Sequence, residues 1–287
     1  MKKYEVYYNH SVKEFNTFRI GGKAKYLVIV YDIDTLHRVC IDCCTHNIKY
    51  KVIGLGANLL FADSDYDGAI IVNRSDSVRT DKDTIIADSG VAMAGLINFA
   101  TEHSLSGLEN FVGIPSTLGG AIVNNLGSNG EISELIESVV CFKRNSPTEL
   151  ITLQQGECQF KYRDSIFKGN EYVIISATLR LKSDIYHEIK KRTIAFLHKK
   201  LSTQPLNEYS AGSVFKRCHL IPSKIIDGLG LKGYTIGGAQ VSNKHAGFII
   251  NTGSASAQDV LNLVKHINSM VYDKYGITFS PEIELVE

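Results

Sequence analysis

The sequence lacks an excess of charge of either sign, because 31 Lys and Arg residues stand against 30 Asp and Glu residues and the net charge is +1. Nucleic acids and anionic membrane surfaces are bound largely through an excess of basic charge. We therefore expect no nucleic-acid partner. Any anion that this protein binds must be recognised by a local group of residues.

A long hydrophobic run is also missing. The longest strongly apolar stretch, Tyr26 to Tyr31, is far shorter than the roughly 20 residues that cross a bilayer. The first residues, MKKYEVYYNHSVKEF, contain tyrosines and charges where a secretory signal requires an apolar region. We therefore expect a cytoplasmic protein without membrane insertion.

The cysteines do not form a complete metal-binding pattern. Cys40 and Cys43 have CxxC spacing, but the sequence has no second CxxC and no paired histidines to supply the other two ligands of a zinc site. The pattern favours small, mostly buried thiols. We predict no structural metal.

Glycine, in contrast, is concentrated in two segments. GIPSTLGGAIVNNLGSNG (113–130) is rich in glycine and has no charged residue, and GLGANLL (54–60) follows a β-rich stretch. Glycine clusters are entropically unfavourable unless the chain turns sharply or is approached closely. A simple turn explains GLGANLL alone, but two such segments about sixty residues apart predict convergence on one phosphate-bearing ligand.

The known phosphate-binding motifs do not match these segments. GLGANLL is not a Walker loop, because GK[ST] does not follow its glycines. Neither segment has the G-x-G-x-x-G pattern at a helix start that a classical dinucleotide fold shows. If a dinucleotide binds, a different fold must hold it.

The order of predicted elements favours an α+β fold of roughly two domains. A β-α-β unit (26–54) is followed by a strand (84–90), a helix (91–105), a helix and strands through 134–182, and a helix (183–204) with an apolar stripe. That stripe comprises Ile185, Ile189, Ile194, Leu197 and Leu201. Strands near 210–217, 235–242 and 245–251, a helix (256–276) capped by Gly276 and a strand (277–287) complete the chain.

Seven motifs together are similar to the UDP-N-acetylenolpyruvoylglucosamine reductase family. They occur in the order of that family and span nearly the whole chain. They are NTFRIGGKA (16–24), GLGANLL (54–60), GLENFVGIPSTLGGAIVNNLGSNG (107–130), YRDSIF (162–167), SAGSVFKR (210–217), LKGYTIGGAQVSNKHAGFIIN (231–251) and PEIEL (281–285).

The resemblance implies a cytoplasmic flavoenzyme of peptidoglycan precursor synthesis, which uses non-covalent FAD and takes NADPH as co-substrate. It implies an α+β fold with a two-part FAD-binding region of the PCMH/vanillyl-alcohol-oxidase type and a substrate-binding domain. The implied boundaries are 1–70 and 71–183 for the FAD-binding subdomains, 184–278 for the substrate domain and 279–287 for a strand that returns to the flavin. We expect a monomer.

The resemblance also assigns three catalytic residues. Arg163 matches the arginine that grips the substrate carboxylate, and a planar guanidinium suits that task because it donates two parallel hydrogen bonds. Ser213 matches the proton donor, which is reasonable because an enolate-like intermediate is a strong base. Glu282 matches the glutamate near the intermediate, where a neighbouring carboxylate favours its protonated form.

Further residues are implied to hold the two ligands. The predicted FAD contacts are Gly54, Gly56, Ala57, Asn58, Leu59, Pro115, Ser116, Thr117, Gly119, Gly120, Asn125 and Gly130. The predicted substrate contacts are Tyr162, Lys216 and Lys232.

The sequence departs from the family pattern at four positions, Ser116, Asn129, Cys218 and Ser280, of which the first two are expected near the flavin. It also has only one long helix between YRDSIF and SAGSVF, which resembles the shorter subtype without a tyrosine-bearing loop. Two alternatives stay open at this point: another FAD-dependent oxidoreductase of the same fold, or a non-catalytic nucleotide-binding protein.

Overall fold

The computed structural model describes residues 3–287 and confirms the predicted α+β class. The α-helices are α1 (Ile33–Thr45), α2 (Met93–Glu102), α3 (Leu118–Val123), α4 (Tyr186–Thr203), α5 (Pro222–Gly228) and α6 (Ala257–Tyr275). The strands are β1 (Tyr4–Ser11), β2 (Lys23–Val30), β3 (Tyr50–Ile53), β4 (Leu59–Phe61), β5 (Tyr66–Asn73), β6 (Val78–Asp81), β7 (Thr84–Asp88), β8 (Leu105–Ser106), β9 (Ile136–Lys143), β10 (Ser146–Gln154), β11 (Tyr172–Arg180), β12 (Lys182–Ser183), β13 (Tyr209–Ser213), β14 (Thr235–Ile236), β15 (Ala239–Val241), β16 (Phe248–Asn251) and β17 (Glu284–Val286).

The chain divides into two compact units. Unit 1 comprises Met1–Tyr8, Tyr26–Leu55 and Asp67–Lys199, and unit 2 comprises Asn9–Lys25, Gly56–Tyr66 and Lys200–Glu287. These cuts differ from the boundaries expected at 70, 183 and 278. The expected boundaries delimit the FAD-binding subdomains and the substrate-binding domain, and they remain predictions.

Unit 1 is built around a five-stranded antiparallel sheet in the order β10-β9-β11-β7-β6. Successive side chains of a strand point to opposite faces, and both faces of this sheet are covered. Val139 and Cys141 of β9 belong to a core with α2 and α3, whereas Phe142 belongs to a second core with Leu36 of α1. The sheet is therefore buried between helices.

Unit 1 also carries a second, four-stranded sheet in the order β1-β2-β5-β3. The predicted β-α-β unit corresponds to β2, α1 and β3, but β5 lies between the two strands, parallel to β3. Helix α1 is N-capped by Asp32, whose carboxylate accepts the backbone N–H of Thr35 at 2.7 Å. Leu36, Cys40 and Cys43 form its buried stripe, which explains the CxxC spacing as helical packing.

Helix α4 is attached to unit 1 through a buried carboxylate. Glu109 accepts the backbone N–H of Gly107 (2.6 Å), the hydroxyl of Ser106 (2.8 Å) and Nη2 of Arg192 on α4 (2.8 Å). Burial raises the pKa of Glu109, but these hydrogen bonds outweigh it and leave that pKa below its ordinary value. This anchor explains why most of α4 groups with unit 1.

The apolar stripe predicted for α4 is largely wrong. Ile189 is fully buried, but Ile185, Ile194 and Leu201 are 65%, 48% and 41% exposed. The spacing was close to helical, yet Ile189 is the one residue of this stripe that is fully buried, and the ion pair between Arg192 and Glu109 also holds the helix.

Unit 2 has a four-stranded sheet in the order β13-β16-β15-β14, packed against α6. Helix α6 has the predicted ends: Ser256 and Asp259 form a capping box, and Gly276 adopts a left-handed φ of 67°. Its stripe of Val260, Leu263 and Ile267 is fully buried. Between residues 3 and 287, no helix is long and apolar enough to span a bilayer.

Several elements were not predicted from the sequence. Strand β1 and helices α3 and α5 are additional. The strand predicted over 277–287 is confirmed only for Glu284–Val286, which pairs parallel to β4. In the preceding residues the strand pairing is reduced to an isolated bridge, between Pro281 and Phe215.

Most of the thiols should be unreactive in the folded protein. Burial raises the pKa of Cys43 to about 11, of Cys141 to about 12 and of Cys158 to about 11, whereas Cys218 is exposed. The thiolate is the reactive form. Over residues 3–287, no group of three or more His, Cys, Asp or Glu side chains is placed to hold a metal ion.

We predict that a thiol reagent at neutral pH modifies Cys218 quickly and modifies the buried cysteines only after denaturation. Counting labels by mass spectrometry, with Cys218→Ser as the control, checks this. Rapid modification of Cys40 or Cys43 in the native protein would contradict the packing role of the CxxC pair.

Candidate functional site

The two glycine-rich segments meet in unit 1. A Cβ atom at Gly54, directly after β3, would lie 2.2 Å from Oγ1 and 2.6 Å from Cγ2 of Thr117. Thr117 is the N-cap of α3, and its hydroxyl accepts the N–H of Gly120 at 3.3 Å. Gly54 and Thr117 are therefore in close contact, whereas convergence of the two segments on one ligand stays a prediction.

Close packing also explains Gly119. Its Cβ would lie 2.9 Å from Cβ of Ser89, and its N–H donates to the carbonyl of Ser89 at 2.8 Å. This amide is therefore engaged inside the protein.

Ser116, one of the departures from the family pattern, fits its position without strain. Its φ is not positive, so its backbone does not require glycine. Its hydroxyl donates to the carbonyl of Thr117 at 2.9 Å, and its carbonyl accepts the N–H of Met93 at 2.8 Å. Asn129 has a φ of 59°, a conformation that asparagine tolerates better than most residues.

Arg163 lies at the tip of a tight turn in unit 1. Lys161 and Asp164 exchange two backbone hydrogen bonds of 3.0 Å, which leaves Tyr162 and Arg163 at the tip. Arg163 has a left-handed φ of 54°, and its guanidinium lies 5.2 Å from the ring centroid of Tyr162. A non-glycine residue in this conformation is strained and needs support from its surroundings.

The glycine-rich segment provides part of that support. Nη2 of Arg163 donates to the carbonyl of Gly127 at 2.9 Å, and Nη1 donates to the carbonyl of Asn125 at 3.3 Å. A Cβ at Gly127 would lie 2.6 Å from Nη1. The missing side chain at Gly127 therefore makes room for the guanidinium.

Unit 2 brings Ser213 and Glu282 onto neighbouring segments. Ser213 ends β13, where Gly212 has a φ of 77° and the pairing with β16 is irregular. The next residue, Val214, accepts the N–H of Glu282 through its carbonyl at 2.7 Å. Two of the three predicted catalytic residues are thus adjacent in the fold.

The same pair of segments includes Lys216, whose N–H donates to the carbonyl of Ser280 at 3.0 Å. Asn58, from the first glycine-rich segment, donates through Nδ2 to the carbonyl of Glu282 at 3.2 Å. Its own carbonyl accepts the N–H of Glu284 at 2.9 Å. The C-terminal segment therefore docks on residues 58–61, which the sequence did not reveal.

The remaining predicted site residues are distributed over both units. Lys232 forms an ion pair with Asp227 at 3.0 Å, and Tyr162 is 44% exposed. Leu59 begins β4. Gly56 (φ 63°) and Gly130 (φ 120°) have conformations that favour glycine. Ala57 is half-buried and Pro115 is exposed.

His245 is a candidate that the sequence analysis missed. Its Nδ1 accepts the N–H of Gly247 at 3.2 Å, and its carbonyl accepts that of Phe248, the residue that pairs with Ser213. Burial lowers the pKa of His245, and the positive charge of Lys232 lowers it further. The sequence shows that His245 begins the motif HAGFIIN. A histidine in a strand-like pattern, however, does not indicate which residues it contacts in the fold.

The exposed part of the glycine-rich surface fits a nucleotide cofactor. Ser116 and Gly120 stay partly exposed, and residues 113–130 carry no charged side chain. Bare backbone and hydroxyl groups of this kind allow close approach of a diphosphate and of a flat ring system.

Comparison with known proteins defines first the class and then the family. A model described as FAD binding domain matches residues 24–144, which include both glycine-rich segments. Together with the glycine-rich surface, this match defines an FAD-binding protein of the α+β class. A second model, described as UDP-N-acetylenolpyruvoylglucosamine reductase, C-terminal domain, matches residues 204–286.

Full-length relatives carry the same name. UDP-N-acetylenolpyruvoylglucosamine reductase of Caldanaerobacter subterraneus subsp. tengcongensis is 37% identical over all of this chain and 95% of its own length. The enzyme of Thermotoga sp. (strain RQ2) is 40% identical over 94% of this chain and 89% of its own. A crystal structure of UDP-N-acetylenolpyruvylglucosamine reductase from Thermus caldophilus superimposes with a TM-score of 0.83 at 29% identity, covering 99% of both chains. The chain belongs to the UDP-N-acetylenolpyruvoylglucosamine reductase family.

We predict that Gly54→Ala destabilises the protein by about 1 to 3 kcal/mol, because the new methyl group overlaps Thr117. It should also weaken FAD binding, since it separates the two glycine-rich segments. Thermal unfolding and FAD titration of the FAD-free protein measure both effects.

Gly95→Ala is the matched control for this substitution. Gly95 lies exposed in α2 with nothing within 4 Å of its Cβ position, so alanine should stabilise the helix by up to about 1 kcal/mol. Equal stability of the two variants would contradict the contact at Gly54.

Proposed function

We propose that this protein catalyses the NADPH-dependent reduction of enolpyruvyl-UDP-N-acetylglucosamine to UDP-N-acetylmuramate, with FAD as cofactor, in the synthesis of peptidoglycan precursors. The observation that carries the proposal is full-length identity of 37% and 40% to relatives named for this reductase. It favours this activity over another flavoenzyme or a non-catalytic nucleotide-binding protein.

The two glycine-rich segments would hold FAD. Gly54, Ser116, Thr117 and Gly120 would contribute backbone and hydroxyl groups, as would residues 56–59. When bound, FAD would supply the hydride chemistry that connects NADPH to the terminal carbon of the enolpyruvyl group.

Arg163 would bind the carboxylate of the enolpyruvyl group. Addition of hydride to the terminal carbon places negative charge on the adjacent carbon and on its carboxylate, which a guanidinium stabilises. The fixed turn and the contacts with the carbonyls of Asn125 and Gly127 support this role, because they hold the guanidinium in one place.

Ser213 would then donate a proton to the carbon that bears the carboxylate, which completes the lactyl ether. The adjacent Glu282 would hold the substrate carboxylate or the proton path as a hydrogen-bond donor, because two nearby carboxylates favour protonation of one of them. The pairing of Val214 with Glu282 supports a shared site for the two side chains.

Tyr162, Lys216 and Lys232 would bind the UDP-sugar. Lysine near a diphosphate acts as a point charge, and Tyr162 borders Arg163 on the turn. We further propose that the enzyme works in the cytoplasm as a monomer and without nucleic acid. The near-neutral charge of the chain supports the last point.

The proposed activity is tested by incubating the protein with NADPH and enolpyruvyl-UDP-N-acetylglucosamine and analysing the product by mass spectrometry. We predict a product two hydrogens heavier, with equimolar oxidation of NADPH. In deuterated water, one deuterium should appear at the carbon that bears the carboxylate. NADPH oxidation without this product would contradict the proposed substrate.

Ser213→Ala separates the two half-reactions. We expect unchanged reduction of the flavin by NADPH and a roughly 10²- to 10⁴-fold slower reaction of the reduced enzyme with substrate, which is the usual range for loss of a general acid. Ser210→Ala, three residues earlier on the same strand, is the control and should behave like the wild type. A wild-type second half-reaction in Ser213→Ala would exclude Ser213 as the proton donor.

A further inference from the structure

Asn125 was expected to contact FAD, but its side chain is engaged inside unit 1. The residue is fully buried. Its Nδ2 donates to Oε2 of Glu131 at 2.7 Å and to the carbonyl of Lys161 at 3.0 Å, and its Oδ1 accepts the N–H of Ser133 at 3.2 Å. An asparagine amide has two N–H donors, and both are used here.

These contacts connect the glycine-rich segment to the turn that carries Arg163. The side chain of Asn125 holds Lys161, the first residue of the turn, and the backbone carbonyl of Asn125 accepts Nη1 of Arg163. One residue thus fixes both the base of the turn and the guanidinium at its tip.

A second connection runs parallel to the first. The hydroxyl of Ser165, just after the turn, donates to the carbonyl of Val123 at 2.8 Å, and Lys168 donates to the carbonyl of Arg163 at 2.8 Å. The turn is therefore held from both ends, and Asn125 contacts both the turn and the guanidinium.

Asn125 itself has an unfavourable backbone conformation, with a φ of 41°. Backbone strain persists where the surrounding contacts fix it. Glu131 orients the side-chain amide through the same nitrogen, because its carboxylate can only accept a hydrogen bond. The nitrogen of the amide is thereby assigned to the side that faces Lys161.

We propose that Asn125 is a positioning residue for Arg163 rather than a contact of the cofactor. It acts by holding the Arg163 turn against residues 123–127, so that the guanidinium is fixed for a carboxylate. This inference rests on the proposed role of Arg163 in binding the substrate carboxylate.

The test compares two ligands that differ by the lactyl carboxylate. Calorimetry measures the affinity of the FAD-loaded protein for UDP-N-acetylmuramate, which has the carboxylate, and for UDP-N-acetylglucosamine, which lacks it. We expect Asn125→Ala to weaken binding of the first ligand on the order of tenfold and to leave the second within about twofold. A displacement of the Arg163 guanidinium by about 1 Å is sufficient for an affinity loss of this size or larger.

Affinity for FAD is the second readout. FAD titration of the FAD-free protein should give a dissociation constant within about threefold of the wild type for Asn125→Ala. Asn145→Ala, an exposed asparagine in the turn between β9 and β10, is the matched control and should leave all three affinities unchanged. Selective loss of FAD affinity in Asn125→Ala would overturn the inference.

A double-mutant cycle separates positioning from a general loss of structure. In the background of Arg163→Ala, the additional Asn125→Ala change should cost less than about twofold in affinity for UDP-N-acetylmuramate, because the group that it positions is already gone. Full additivity would overturn the inference. If Arg163→Ala alone lowers the affinities for UDP-N-acetylmuramate and UDP-N-acetylglucosamine by the same factor, the proposed role of Arg163 is wrong. The proposed role of Asn125 is then wrong as well.

Asn125→Asp provides a variant of equal shape. It keeps the acceptor for Ser133 but removes the donor to Lys161 and places a carboxylate against Glu131. We expect the same selective loss as in Asn125→Ala, with a melting temperature close to that of Asn125→Ala. Wild-type affinity for UDP-N-acetylmuramate in this variant would contradict the donor role.

Discussion

The contact between Gly54 and Thr117 is the constraint on which the cofactor region depends. Two segments about sixty residues apart meet because Gly54 has no side chain where the Thr117 side chain lies. Thr117 is also the N-cap of α3. The same threonine therefore contacts Gly54 and stabilises the start of the helix. The five-stranded sheet and its two buried faces then fix α3 relative to β7 and β11. Glycine here serves packing between segments as much as access for a ligand.

The three residues predicted to be catalytic are positioned by backbone pairing rather than by a single element. Arg163 depends on a two-residue turn that is held by residues 123–127, whereas Ser213 and Glu282 depend on the pairing of Val214 with the C-terminal segment. Each residue thus has rigid local support in its own unit. Preorganisation of this kind reduces the motion needed to reach a productive geometry.

Local signals were sufficient to predict much of the fold. The caps of α6, the helical spacing of α1 and most strands of the central sheet follow from spacing and capping residues alone, whereas its edge strand β6 was not predicted. Strand β1 was missed because it is an edge strand with mostly exposed residues and no apolar alternation. The exposed stripe of α4 and the internal role of Asn125 depend on partners far away in sequence, which no local pattern contains. Family resemblance predicted catalytic roles for Arg163, Ser213 and Glu282, but it did not predict the residues that hold them.

The most direct test of the account is the visible absorption spectrum of the purified protein without oxygen, first alone, then with NADPH, then with enolpyruvyl-UDP-N-acetylglucosamine. The account predicts an oxidised flavin band that bleaches with NADPH and returns with the UDP-sugar. A band that bleaches and does not return would contradict the proposed substrate. A protein that binds no flavin, even after addition of FAD, would contradict the cofactor site on which the whole account is based.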